Sequence, residues 1–241
     1  MTDTRPAGPP GCDLAAPAQP GPQAQARHAP AVLANRLQLA GTWGEPCLGY
    51  LLLFRPSAQV TAELAALQEQ VLALEPDLLR QPGSAMHSTV AFLVPVYRPV
   101  DQDKDEIWRL RGERWLRVIG AHTAGIRGPL RLSFRRLIAT DAAVIAVADA
   151  PNPVTSLRDA LTAGLELPWP LAKGPLVHVS LFRYRRPLRD PAGLLGMLAE
   201  LDFAIEAEIG ELLVVRETTF PSLDYEVLHR LPIGRPAWRA S

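Results

Sequence analysis

The chain contains one pattern twice, in Met86-His87-Ser88-Thr89-Val90 and in Val177-His178-Val179-Ser180-Leu181. In each stretch a histidine is followed two residues later by a hydroxyl residue, inside a run that is typical of a β-strand. Side chains at positions i and i+2 of a strand point to the same face. His87 therefore shares a face with Thr89, and His178 shares one with Ser180. The repetition predicts an active site built from two matched halves.

The surroundings of the two stretches repeat as well. Before the first, residues 48–54 are typical of a buried strand, and apolar residues at helical spacing predict a helix from Pro56 to Pro76. Before the second, residues 143–148 predict a strand, and Asn152-Pro153 predicts a helix cap with proline at the first helical position. The two histidines are 178 − 87 = 91 residues apart.

Each half continues in the same way after its histidine strand. A helix is predicted after the acidic residues that begin at Asp103, and another after Asp190-Pro191. Alternating strands follow at 130–134 and 203–209, and a closing hairpin is predicted with its turn near Pro221-Ser222. The pattern predicts an α+β fold of two pseudo-twofold, duplicated βαβ-type lobes, with antiparallel sheets around a central cleft and the helices outside.

The domain organisation is predicted to be simple. Residues 1–30 contain seven prolines and few large apolar side chains, so we expect a disordered tail rich in proline and alanine. Residues 31–241 are predicted to form a single bilobal domain. We expect the chain to pass between its lobes near 138–142 and again in the C-terminal hairpin.

Composition narrows the class of protein. The formal net charge is zero, which argues against a large field that would attract nucleic acid or membranes. The only cysteines are Cys12 and Cys47, which is typical of a reducing compartment. The longest apolar run is far too short to span a membrane. We expect a cytoplasmic monomer without a cofactor or a membrane partner.

Two histidines on either side of one phosphate can divide a proton-transfer reaction. One accepts a proton from water or a sugar hydroxyl, and the other donates a proton to the leaving oxygen, because the pKa of histidine lies near working pH. Thr89 and Ser180 can donate hydrogen bonds to the non-bridging phosphate oxygens. This arrangement needs no metal. The residues leave open which of His87 and His178 is the acid and which is the base.

The chain resembles the two-histidine phosphoesterase superfamily, whose mark is a repeated His-x-Thr/Ser followed by an apolar residue. The match is carried by residues 87–92 and 178–183, and the resemblance covers roughly residues 45–235. It implies a bilobal α+β fold and phosphodiester chemistry on 2′,3′-cyclic phosphates, 2′-5′ linkages or RNA ends. His87 and His178 would be the catalytic pair, and Thr89 and Ser180 the phosphate-binding residues. Ser88 departs from the family pattern, which usually has an apolar residue there.

Further residues are candidates for substrate binding. If the second strand stays regular, Phe182 and Tyr184 continue the face of His178 and could stack on a base, whereas Arg183 falls on the opposite face. They could also line the cleft without touching a ligand. Lys173 lies in the loop before the second motif and could reach a terminal phosphate. The family resemblance implies that Tyr225, in the closing hairpin, lies near the cleft.

One hypothesis and three alternatives follow from the sequence. The hypothesis is a phosphoric diester hydrolase whose partner is a nucleotide or an RNA end, most simply a 2′,3′-cyclic phosphate. The first alternative is a non-catalytic nucleotide-binding module with the same fold. The second is a phosphodiesterase for a small signalling or specialised metabolite, such as a 2′-5′ or cyclic dinucleotide. A metal site at His87, His178 and a nearby acid is a third reading, although no ligand spacing supports it.

Overall fold

A computed structural model of the chain describes residues 21–96, 102–167, 169 and 176–234. Its helices are α1 (Gly21–Leu33), α2 (Ala58–Leu74), α3 (Lys104–Ala124), α4 (Pro153–Gly164) and α5 (Pro191–Glu200). Its strands are β1 (Pro46–Phe54), β2 (Leu78–Arg80), β3 (Ser88–Val94), β4 (Leu130–Ala139), β5 (Ala143–Ala148), β6 (His178–Tyr184), β7 (Ile205–Ile209), β8 (Glu211–Thr219) and β9 (Asp224–Pro232).

Capping residues begin the helices where the sequence predicts. The side chain of Ser57 accepts a hydrogen bond from the Val60 amide at the start of α2, and Asn152 accepts one from Thr155 at the start of α4. Asp103 caps α3 in the same way. Asp190 caps α5 through the amide of Gly193. These local bonds satisfy backbone donors that have no partner within a helix.

The strands form two antiparallel sheets. The first sheet has the order β3-β1-β8-β9 and holds the strand of the first motif at its edge. The second sheet has the order β2-β6-β5-β4-β7 and holds the strand of the second motif. All strand pairs in both sheets are antiparallel. The predicted α+β class with antiparallel sheets is therefore confirmed.

The apolar side chains divide between the two faces of each sheet. One large core joins the helices to one face of both sheets. The opposite face of the first sheet carries a smaller cluster of Leu51, Leu53, Leu213 and Val215. The opposite face of the second carries Ile138, Ala143, Ile145, Val147 and Leu176, with Ala24 of α1 packed among them. We call these smaller-cluster faces the site faces, because both motif histidines lie on them.

The structure corrects the predicted tail. Residues 21–30 belong to α1, where Ala24 is 3% exposed. The side-chain amide of Gln25 donates to the carbonyl of Ala139 and accepts from its amide, which fixes α1 against β4. The prediction failed for residues 21–30 because small side chains can still pack closely against a sheet. Residues 1–20 lie outside the described ranges.

The passage between the two sheets also differs from the prediction. The short strand β2 already belongs to the second sheet, and β3 returns the chain to the first. Strand β4 belongs to the second sheet again, so the chain crosses once more in the connection between α3 and Leu130. Residues 140–142 form the turn between β4 and β5, within one sheet. The chain then returns to the first sheet through β8 and β9, the C-terminal hairpin that was predicted. Among the helices that the structure describes, none has the length and apolar character to cross a bilayer.

Candidate active site

The two motifs have the same pattern of exposure. His87 and Thr89 are partly exposed, while Ser88 and Val90 are buried. In the second motif His178 and Ser180 are partly exposed, while Val179 and Leu181 are buried. Each histidine therefore shares a face with the hydroxyl residue two positions later, as the alternation of a strand requires.

Both imidazole rings are oriented by a backbone carbonyl two residues earlier. Nδ1 of His87 lies 2.9 Å from the carbonyl oxygen of Ala85, and Nδ1 of His178 lies 3.4 Å from that of Leu176. A carbonyl only accepts hydrogen bonds, so each Nδ1 carries the proton. In the neutral ring, Nε2 then keeps its lone pair and can take up a proton.

The surroundings keep both rings neutral. Burial lowers the pKa of His87 below its ordinary value. The pKa of His178 is lowered to about 4, first by burial and then by the charges of Arg158, Arg183 and His87. Because a charge on His87 acts on His178, the two motifs belong to one electrostatic site.

The face of the second motif differs from the prediction beyond Ser180. Ser180 pairs with Ile145, but Phe182 pairs with the next residue, Val144, so Leu181 is an extra residue that forms a β-bulge. The bulge reverses the alternation. Phe182 and Tyr184 are both 0% exposed in the main core, so the prediction that they continue the His178 face is wrong.

The same bulge brings Arg183 to the site face. Arg183 pairs with Ala143, which shares its face with Ile145 and therefore with Ser180. The guanidinium charge lowers the pKa of both His87 and His178. The prediction that Arg183 points to the opposite face is therefore wrong as well. An arginine on this face can bind phosphate oxygens.

The first motif has a bulge at the equivalent position. Thr89 pairs with Leu53 and Ala91 pairs with Leu52, so Val90 is the extra residue. Val90 and Leu181 are separated by the same offset as the histidines. The bulge places Phe92, which pairs with Leu51, on the site face. Phe92 and Arg183 occupy equivalent positions in the repeat. Regular alternation along a strand predicts neither of them on the site face, because each follows a bulge.

Tyr225 and Glu217 are paired neighbours on β9 and β8 and complete the site face of the first sheet. The Tyr225 ring packs partly buried against the Leu51 cluster. Its hydroxyl is buried without a hydrogen-bond partner among the described residues. Glu217 is 2% exposed, and burial raises its pKa although the amide of Ser222 donates to it at 2.5 Å. Nothing in the sequence pattern pointed to Glu217.

Two further expectations concern Lys173 and a metal site. Lys173 lies outside the described residues. Within the ranges that the structure covers, no three His, Cys, Asp or Glu side chains are grouped so that they could hold a metal ion.

Several solved structures resemble this chain. TT0787 of Thermus thermophilus is 20% identical with a TM-score of 0.54, and the match covers 77% of this chain and 98% of that one. A phosphoesterase crystal structure is 12% identical with a TM-score of 0.52, over 77% and 98%. E. coli LigT in complex with 3′-AMP is 11% identical with a TM-score of 0.48, over 78% and 99%. No family model and no curated protein matches the sequence.

The first two likenesses show that the chain shares a known fold. Each covers nearly all of the other structure but leaves almost a quarter of this chain outside the match. The fold that the repeated motifs predicted is therefore confirmed.

Proposed function

We propose that this chain is a two-histidine phosphoesterase that hydrolyses a nucleotide or RNA phosphodiester without a metal, with a 2′,3′-cyclic phosphate as the leading substrate class. One observation carries the proposal. Two histidines at equivalent places in the repeat are oriented by equivalent carbonyls, and each has a hydroxyl group beside it. The name of the phosphoesterase with the same fold points to the same chemistry.

The proposed reaction is a displacement at phosphorus. One neutral histidine takes a proton from water through Nε2 as the water oxygen forms a bond to phosphorus. The bond from phosphorus to one ribose oxygen breaks, and the other histidine, in its protonated form, gives that oxygen a proton. The product is a 2′- or 3′-phosphomonoester. Each histidine finishes in the other's starting state, so a proton exchange with solvent restores the site.

The environment of the histidines supports an assignment of these roles. Arg183 disfavours the protonated form of both histidines, and Arg55 acts in the same sense on His87. Arg158 is the strongest charge acting on His178 and has no counterpart of that rank at His87, which supports His178 as the base and His87 as the acid. A bound phosphodiester is anionic, so it offsets these cations and favours the protonation that His87 needs. In this proposal Thr89, Ser180 and Arg183 stabilise the negative charge that grows on the non-bridging oxygens.

The test is a turnover assay of the full chain in EDTA. The substrates are 2′,3′-cyclic nucleotides, 2′-5′ and 3′-5′ oligonucleotides, and cyclic dinucleotides, and the products are separated by chromatography. We expect the H87A and H178A variants each to lose on the order of 10²–10⁴-fold in rate. The matched control is H229A, because His229 lies on β9 opposite Val214, on the core side of the first sheet.

Each outcome has a clear meaning. Full activity in either site variant would contradict the two-histidine mechanism. Tight mononucleotide binding without turnover would favour the non-catalytic binding module. Activity confined to 2′-5′ or cyclic dinucleotides would favour a small signalling or specialised metabolite as the substrate. Loss of affinity with added salt distinguishes a polymer, which makes many phosphate contacts, from a small ligand, which makes few.

A further inference from the structure

Arg158 is a buried arginine between the two motifs. It lies on α4 among the buried residues Val154, Leu157 and Leu161, and only 5% of its surface is exposed. Arginine is rarely buried to this extent unless its donors are satisfied. Burial lowers its pKa to about 10, so the guanidinium remains charged at neutral pH. The position is therefore occupied by a fixed positive charge.

The guanidinium bonds to backbone on both sides of the site. Nε donates to the carbonyl of Val90 at 3.1 Å, and Nη2 donates to the carbonyl of Thr89. Nη1 donates to the carbonyl of Leu176 at 3.0 Å. One planar, rigid group thus holds the bulge of the first motif and the residues that enter the second.

The Leu176 carbonyl links Arg158 to His178. This oxygen accepts from Nη1 of Arg158 and also from Nδ1 of His178. The arginine charge is therefore separated from the imidazole by a single shared acceptor. The charged groups that act on His178 are Arg158 from α4, Arg183 from β6 and His87 beside β3.

We propose that Arg158 is a positioning residue that fixes the two motif strands relative to each other and holds a positive charge against the His178 ring. The catalytic part of this inference rests on the proposed phosphodiesterase function. The electrostatic part concerns the resting protein alone. In the resting protein the charge adds to burial in keeping His178 unprotonated, and the shared carbonyl fixes which nitrogen of the ring faces the site.

Gln68 provides a matched comparison because its side chain also bonds to the backbone of a motif bulge but carries no charge. It lies on α2, is 0% exposed, and its Nε2 donates to the carbonyls of Leu181 and Gln81 at 2.8 and 2.9 Å. Leu181 is the bulge residue of the second motif, as Val90 is of the first. A Q68M variant therefore loosens one bulge and leaves the charges around His178 unchanged.

The decisive experiment is an NMR titration of the histidine side chains between pH 5 and 8 in the full-length protein without ligand. The variants are R158M, R158K and Q68M. We expect His178 to stay neutral throughout in the wild type, in Q68M and in R158K, which retains the charge. In R158M we expect its pKa to rise toward the ordinary value, so that part of the His178 population becomes protonated at pH 5. R158Q replaces R158M if the latter does not fold.

The activity assay separates the two parts of the proposal. With a substrate that the wild type hydrolyses, R158M should move the acidic limb of kcat/KM to higher pH, whereas Q68M should lower the rate without moving that limb. R158K should keep the limb but lower kcat about tenfold or more, because a lysine cannot hold three carbonyls in a plane.

The overturning results are specific. An unchanged His178 titration in folded R158M or R158Q would overturn the electrostatic role. Wild-type kcat in R158K and R158M would overturn the positioning role. If no substrate is turned over by the wild type, the proposed function and the positioning role both fail. The titration of the resting protein still decides whether Arg158 controls His178.

Discussion

The low pKa of His178 predicts how stability changes with pH. In the folded protein its pKa is about 4, against an ordinary value of 6.5. Between these values the unfolded chain binds a proton at His178 and the folded protein does not. The stability that depends on neutral His178 is therefore fully present above pH 6.5 and is lost as pH falls toward 4.

The size of the pKa shift of His178 determines how much free energy of unfolding is lost at low pH. A difference of one pKa unit corresponds to about 1.4 kcal/mol, so complete titration of His178 removes roughly 3 kcal/mol. Between pH 7 and pH 5 the same linkage relation gives a loss of about 2 kcal/mol in the free energy of unfolding. The pKa of His87 is lowered too and adds to the loss in the same direction. Asp77 and Asp105, whose pKa values are lowered below 3.8, contribute only at lower pH.

The assay is urea unfolding of the wild type and of H178N at pH 7, 6 and 5. The difference in unfolding free energy between the two proteins should change by about 2 kcal/mol over this range, because asparagine does not titrate. Glu217 acts in the opposite sense, since a raised pKa gives stability that is lost as pH rises, but both proteins retain it. Equal pH dependence in the two proteins would show that His178 is not held neutral by the fold.

Three other changes test the faces of the motif strands. F182A should cost about 3–5 kcal/mol in the free energy of unfolding, measured by urea denaturation, since the ring is 0% exposed in the core. R183Q should lower kcat/KM about tenfold or more in the phosphodiesterase assay while the protein remains folded, because the arginine lies on the site face; wild-type kinetics would contradict that role. T89V should lower kcat by about tenfold with little change in stability, which kinetics and thermal unfolding together can check.

The sequence predicted most of the fold because its signals are local. Ser57, Asn152, Asp103 and Asp190 all cap the helices that they were expected to begin. Residues 143–148 form a strand with the bounds that the apolar run indicated. The repeat of strand, helix and histidine motif in the two halves predicted the two related motif strands, β3 and β6.

The misses arise where a tertiary contact overrides the local pattern. The bulges at Val90 and Leu181 depend on how each strand pairs with its neighbour, and strict alternation does not contain that information. Strict alternation therefore predicted Phe182 on the site face, although it lies in the main core, and it did not predict Phe92 on the site face. Arg158 was overlooked because its partners are backbone carbonyls distant in sequence.

Helix α1 was missed for a related reason. Its composition resembles a flexible segment, and only the Gln25 bonds to Ala139 and the packing of Ala24 identify it as part of the domain. Such contacts join residues 114 positions apart, which no local window covers.

The path of the chain through the two sheets has a consequence for biosynthesis. Leu51 of β1 pairs with Val215 of β8, so the first sheet is completed only when the last strands are made. A nascent chain that ends before Glu211 can assemble the second sheet, while one edge of β1 still lacks its neighbour. Unpaired edges template association with other chains. Release of the hairpin β8–β9 from the ribosome is therefore the step that closes this edge, and the sequence repeat does not divide the protein into two halves that could fold apart.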